Sequence, residues 1–218
     1  MGTALRALAL HALDALTPPR TASRALRTLT AGELFSRAER AGEIDGDIEA
    51  VFAYRDPLVR RLIWEVKYRS SPRAIALAAE CLAAHLAEEI AERALFDALV
   101  RPLLMSVPAS PTRAAERGGD PLALAASRTA ALLTGLCMHA PHVLYKIRDL
   151  RPQTGLANRA ERLRNVVGSF AVRESLDVRG RDVIVLDDVT TTGATFVEAR
   201  RALLAAGARS VLCVAFAH

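Results

Sequence analysis

Val183-Ile184-Val185-Leu186-Asp187-Asp188-Val189-Thr190-Thr191-Thr192-Gly193-Ala194-Thr195 is the stretch that decides how this chain folds. Four consecutive apolar residues read as a strand buried on both faces. Two acids stand at its carboxyl end. A run of small residues then opens a helix expected over Thr195 to Ala206, which Gly207 stops, and Ser210 to Phe216 reads as a closing strand. The same alternation runs back through the chain. Ile48 to Tyr54 reads as a strand, and Asp56-Pro57 opens a helix whose Leu58, Leu62, Ile63 and Val66 share a face. Pro72 to Ala94 is a long Ala/Leu helix, Leu103 to Val107 a buried strand before Pro108, and Pro121 to Cys137 a helix. His142 to Ile147 and Ser169 to Val172 are short strands. Strands alternating with helices predict an α/β fold, a mostly parallel Rossmann-like sheet flanked by helices. Ligands of such sheets sit beyond the carboxyl ends of the strands, so the candidate loops follow Val107, Ile147 and Leu186.

The 218 residues fit one domain with an appendage, and 51% of them are hydrophobic, enough for a substantial core. The formal charge is +5 and nearly all the basic residues are arginine. Arginine is the better fork for phosphate, so this balance suits nucleotides, phosphates or nucleic acid without selecting among them. Cys81, Cys137 and Cys213 are odd in number, widely spaced and set in apolar stretches. They read as buried thiols of a cytoplasmic protein, not as a disulfide framework or zinc site. Met1 to Leu16 is apolar but broken by Arg6, His11 and Asp14, which suits neither a signal peptide nor a membrane span. The first helix stops at Thr17-Pro18-Pro19, and residues 1–46 read as a helical N-terminal appendage before the main domain, 47–218.

The chemistry of the opening stretch fits a phosphorylated sugar. Small residues let backbone N–H groups close around a phosphate, and a helix N-terminus favours an anion. The hydroxyls of Thr190, Thr191, Thr192 and Thr195 add donors without bulk, beside Gly193 and Ala194. Asp187 and Asp188 offer only acceptors, which suits vicinal ribose hydroxyls, directly or through a hydrated Mg²⁺. No direct metal ligation by the protein is predicted. Two acids alone would read as a plain helix cap.

As a whole, Val183 to Thr195 resembles the 5-phosphoribosyl diphosphate (PRPP) signature of the type I phosphoribosyltransferases. The resemblance implies that Asp187 and Asp188 hold the ribose 2′- and 3′-hydroxyls, and that Thr191 to Thr195 cradle the 5′-phosphate. In members that salvage 6-oxopurines an Asp stands three places after the second acid; here that place is Thr191, which points away from those enzymes. Three further stretches resemble the ComF/GntX-type phosphoribosyltransferases. They are Tyr54 to Arg69; Val107-Pro108 with Arg113-Ala-Ala-Glu116-Arg117-Gly118; and Arg148 to Phe170, which carries Gln153, Arg159, Arg164 and Asn165. The likeness spans about residues 48–218.

The loop after Val107-Pro108 lies where a diphosphate would bind, with Arg113 and Arg117 either reaching it or exposed on a helix. The basic stretch from Arg148 through Gln153, Arg159 and Arg164 reads as a hood over the nucleophile, a strip for nucleic-acid phosphates, or a solvated loop. Lys67 is either a snorkelling surface residue or part of the site. The five histidines, at 11, 85, 139, 142 and 218, read as structural or surface groups. No nucleophile–base arrangement suggests a covalent route.

Two function classes follow. In the first, the chain binds PRPP with Mg²⁺, and the phosphoribosyl group passes to a nucleophile through positioning and charge stabilisation. In the second, implied by the ComF resemblance, it is an accessory protein of DNA uptake with competence-type partners, binding nucleotide or single-stranded DNA. Only Tyr145 and Phe170 lie near the basic stretch as stacking groups, which weakens that second reading. Oligomeric state is open, with a homodimer among the options. ComF-type chains commonly carry Pro-Pro-Arg before a Cys₄ zinc ribbon. Here Pro18-Pro19-Arg20 is followed by Thr21-Ala22-Ser23-Arg24, with no Cys before Cys81, so the zinc ligands are missing.

Overall fold

Most helix starts are written locally into the sequence. The computed structural model describes residues 26, 28–96, 99–109, 119–147, 166–173 and 178–218. Thr30 and Glu33 form a reciprocal capping box at α1 (Ala31–Arg37). Three more helices share one code, an acceptor at the N-cap and proline just inside. Asp56 accepts from the N–H groups of Leu58 and Val59 at 2.8 and 3.3 Å to start α2 (Pro57–Arg69). Ser71 accepts from Ala74 to start α3 (Pro72–Ala94), and Asp120 from Leu122 and Ala123 to start α4 (Pro121–Leu132). Each cap satisfies backbone donors that the first turn leaves unpaired, and proline there loses no hydrogen bond. The last helix, α5 (Ala194–Ala205), breaks the rule: its N-cap is Gly193, and no side chain caps it.

The main sheet runs in the order β1-β2-β8-β7-β3-β4. Its strands are β1 (Arg40–Asp45), β2 (Ile48–Phe52), β3 (Leu103–Ser106), β4 (Met138–His139), β7 (Asp182–Val189) and β8 (Ser210–Ala217). The pairs β2–β8, β8–β7, β7–β3 and β3–β4 are parallel; only the β1–β2 hairpin is antiparallel. This is the expected mostly parallel sheet with flanking helices. Successive residues of β7 point to opposite faces. Ile184 and Leu186 join a core with Leu62, Leu77 and Leu82 of α2 and α3. Val183 and Val185 join one with Phe196 and Leu203 of α5. Both faces are covered, so the strand is apolar without alternation.

Two placements differ from the expectation. The strands near 144 and 170 are not in the main sheet. β5 (Leu144–Lys146) and β6 (Phe170–Val172) form a separate antiparallel ribbon, with Tyr145 opposite Ala171. The helix expected to reach Cys137 ends at Leu132; Gly135 follows at φ 88°, and the edge strand β4 begins at Met138. Residue 46 lies in the turn between β1 and β2. Leu26, Leu29 and Leu34, upstream of it, are buried in the same core as Leu62. Residues 1–25, with the degenerate zinc-ribbon positions, lie outside the described residues. Among the described residues, no helix is long and apolar enough to cross a membrane.

Candidate functional site

β7 lies between β8 and β3, with Leu186 opposite Val214 on one side and Ser106 on the other. Its carboxyl end carries the two acids. The pleat that sends Val185 towards α5 sends Asp187 the same way, and Asp188 follows Leu186 towards α2. Each carboxylate is steadied by the next backbone amide. The Asp188 N–H donates to Asp187 Oδ1 at 2.8 Å, and the Val189 N–H to Asp188 Oδ1 at 2.7 Å. Lys67, in the last turn of α2, places Nζ 3.0 Å from Asp188 Oδ1. Burial first, and then the charge of Asp188, push the Asp187 carboxyl up to about 8, while Lys67 pulls the other way.

The loop leaving these acids is tied to the neighbouring strand at its base. The Thr190 N–H donates to the Ala217 carbonyl at 3.0 Å, and His218 Nδ1 lies 3.2 Å from the Thr190 carbonyl, which only accepts. Thr191 is exposed, Thr192 and Thr195 are half-buried, and Gly193 and Ala194 are buried. Gly193 sits at φ 72°, where a side chain is strained, and a Cβ there would stand 3.4 Å from Ile48 Cδ1. The first turn of α5 thus opens beside the acids with no acidic residue in it. Thr192 Oγ1 accepts the Ala194 N–H, but only at 3.4 Å. Such a helix end presents orphan N–H groups to an anion.

The loop after β3 borders the same place. The Val107 N–H donates to the Leu186 carbonyl at 2.8 Å, which sets Pro108 and Ala109 beside the start of the acid pair. Asp120 holds the far end: Oδ1 caps α4, and Oδ2 accepts the Ala109 N–H at 3.3 Å. Arg113 and Arg117 lie outside the described residues. So do Arg148, Gln153, Arg159 and Arg164. The ends of that second segment are held together, because the Ile147 N–H donates to the Ser169 carbonyl at 2.9 Å. β6 packs on α5, and buried Glu198 of α5 accepts the Gly168 N–H at 2.7 Å. The ribbon bearing the basic segment is therefore anchored to the helix that opens at Gly193.

The structure brings together Asp187, Asp188, the 190–195 loop and Pro108. It adds Lys67, which sequence reasoning left undecided. One signal was available: the chain has Lys67 and Lys146 as its only lysines among 29 basic residues. His218 also reaches the base of the loop, with no sequence signal beyond its position.

Burial pushes the Cys81 and Cys213 thiols up to about 12 and raises Cys137, so none is a poised nucleophile. Among the described residues, Glu49, His85 and Glu89 form a trio whose donor atoms lie within 4.8 Å of one another. Arg93 ion-pairs with both glutamates and already supplies the cation there.

No family model matches the chain. Over 38 residues the chain is 50% identical to ribose-phosphate pyrophosphokinase 2 of Archaeoglobus fulgidus. That match takes in 17% of this chain and 14% of the relative.

Proposed function

We propose that this chain is a type I phosphoribosyltransferase-like protein that binds PRPP, or a related ribose 5-phosphate, with Mg²⁺ at the carboxyl end of β7. The observation that carries the reading is the adjacency of Asp187 and Asp188 to a helix N-terminus that no side chain caps. The name of the partial relative, a ribose-phosphate pyrophosphokinase, agrees with a phosphorylated ribose ligand. In this reading the 5′-phosphate accepts from the first-turn N–H groups of α5 and the hydroxyls of Thr191, Thr192 and Thr195. Asp187 and Asp188 accept from the ribose 2′- and 3′-hydroxyls, and the loop at Pro108 borders the diphosphate. Arg113, Arg117 and the Arg148–Arg164 segment are proposed as diphosphate and hood contacts.

The donor set fits Mg²⁺, which prefers oxygen ligands and keeps its waters. Asp187 is held uncharged more readily than usual by burial and by Asp188, so a nearby cation would favour its ionised form. Asp187 and Asp188 would hold the ion through water or the ribose hydroxyls, and when bound it supplies charge neutralisation beside the diphosphate. The residues of this chain bind, orient and stabilise charge; the opening of the C1–O bond and attack by a nucleophile need no covalent enzyme intermediate. The motif likeness to ComF/GntX-type proteins is the proposed subfamily placement.

The test is a calorimetric titration with PRPP and Mg²⁺, with single-stranded DNA as a parallel arm. Saturable PRPP binding by the wild type, lost in the Asp187→Asn/Asp188→Asn double variant, is expected. Equal PRPP binding by that variant would remove the assignment. Salt-dependent binding of DNA instead of PRPP would favour the accessory-protein reading. Pyrophosphate release across a panel of nucleobases then reports turnover.

A further inference from the structure

Lys67 is placed where a ligand's cation would be needed. Its Nζ lies 3.0 Å from Asp188 Oδ1, and the two side chains are only 19% and 23% exposed. Among the described residues, no other cation is ion-paired with either acid. The other ion pairs among the described residues are made mainly by arginine, as at Glu65, Glu49 and Glu198. An arginine fork grips a carboxylate with two parallel bonds, whereas lysine holds it with one point charge on a four-carbon stem. The lysine is thus the residue type that releases. It stands in the last turn of α2, and its side chain is not fully enclosed.

We propose that Lys67 is a built-in counter-cation of the acid pair that ligand binding displaces from Asp188 and transfers to the ligand's diphosphate. This rests on the PRPP reading above. Without a ligand, Lys67 offsets the charge of Asp188 at a half-buried strand end. When ribose hydroxyls and a hydrated cation occupy Asp188, the ammonium loses its partner in a largely enclosed place. Such a charge needs a new one. The 2-hydroxyl that Asp188 or Asp187 receives is on the carbon next to C1, and C1 carries the diphosphate. The new anion therefore arrives within reach of the lysine stem. The device keeps the empty site from collecting free divalent cations and makes cation entry depend on the anionic ligand. No bond is made or broken in this exchange.

The experiment compares wild type, Lys67→Met and Lys67→Arg, with circular-dichroism melting to confirm that each folds. Mn²⁺ alone is titrated by electron paramagnetic resonance, and PRPP with Mg²⁺ by calorimetry. Lys67→Met should bind Mn²⁺ alone roughly five- to thirtyfold more tightly, the range for removing one unit charge about 4 Å from a doubly charged ion in a watery, salt-screened medium. It should bind PRPP with Mg²⁺ more weakly by a similar factor. Lys67→Arg should show no gain for Mn²⁺. Opposite shifts of the two ligands are the signature, since a merely damaged site weakens both. Unchanged affinities, or shifts of the same sign, overturn the proposal while leaving the PRPP reading standing. A wild type that binds no PRPP at all, whatever Mn²⁺ does, overturns that reading and the transfer to diphosphate with it.

Discussion

Asp187 shows how one side chain registers both burial and a neighbour's charge. Its carboxyl is raised from 3.8 to about 8, chiefly by burial and then by Asp188, with Lys67 opposing. A group whose folded value exceeds its unfolded one holds more protons when folded. Its contribution is fully present below the unfolded value and is lost as pH rises through the folded one. The ligand-free wild type should therefore lose melting temperature between about pH 4 and pH 8 relative to Asp187→Asn, which has no such proton. Thermal melts of both proteins across that range check it; parallel curves would mean that Asp187 titrates normally. The two acids are legible from residue type and order. Their unequal surroundings are not, because burial and the approach of Lys67 depend on which elements pack beside the strand end.

At the level of elements, the site depends on how helices begin. Three helices carry their own caps at Asp56, Ser71 and Asp120, each followed by proline, and these starts can be read in advance. α5 has Gly193 at its N-cap position, so no side chain caps it from there. Asp120 does a second task that its sequence does not announce, holding Ala109 at the end of the β3 loop. Asp120→Ala should cost about 1 kcal/mol of stability, the usual loss for a cap. Urea unfolding measures it, and hydrogen exchange at Ala109 should quicken in the same variant. A capping role alone would leave Ala109 unchanged. The ribbon β5–β6 depends in turn on Glu198, whose carboxylate takes the Gly168 N–H on the far side of the loop that the ribbon carries.

For the whole molecule, stability comes from a sheet filled on both sides. Ile184 is fully buried among the α2–α4 side chains, and Val185 among those of α5 and the ribbon. Ile184→Ala should destabilise by about 2–5 kcal/mol, because the rigid strand cannot collapse into the space left. Denaturant unfolding gives the value. A loss below about 1 kcal/mol would mean that the core around β7 is looser than its burial suggests. The edges behave differently: β1 is polar and exposed along most of its length, which protects the sheet from pairing with other chains.

The sequence by itself determined the alternation of strands and helices, the caps that start α2, α3 and α4, the buried β7 and the order of acids and small residues after it. All of these rest on interactions within a few residues, where side-chain type and backbone preference decide. The tertiary structure decided what pairs across long stretches of chain. Residues 142–147 and 169–172 read as short strands whichever sheet they join, so partner choice set β5 and β6 apart. The polar run Arg40–Asp45 has no alternation to mark it, and becomes a strand because β2 offers a free edge across a two-residue turn. Lys67 and Asp188 meet because α2 packs over the face to which the pleat turns Asp188. A chain folded to cover both faces of β7 brings a cation and an anion together that no local pattern connects.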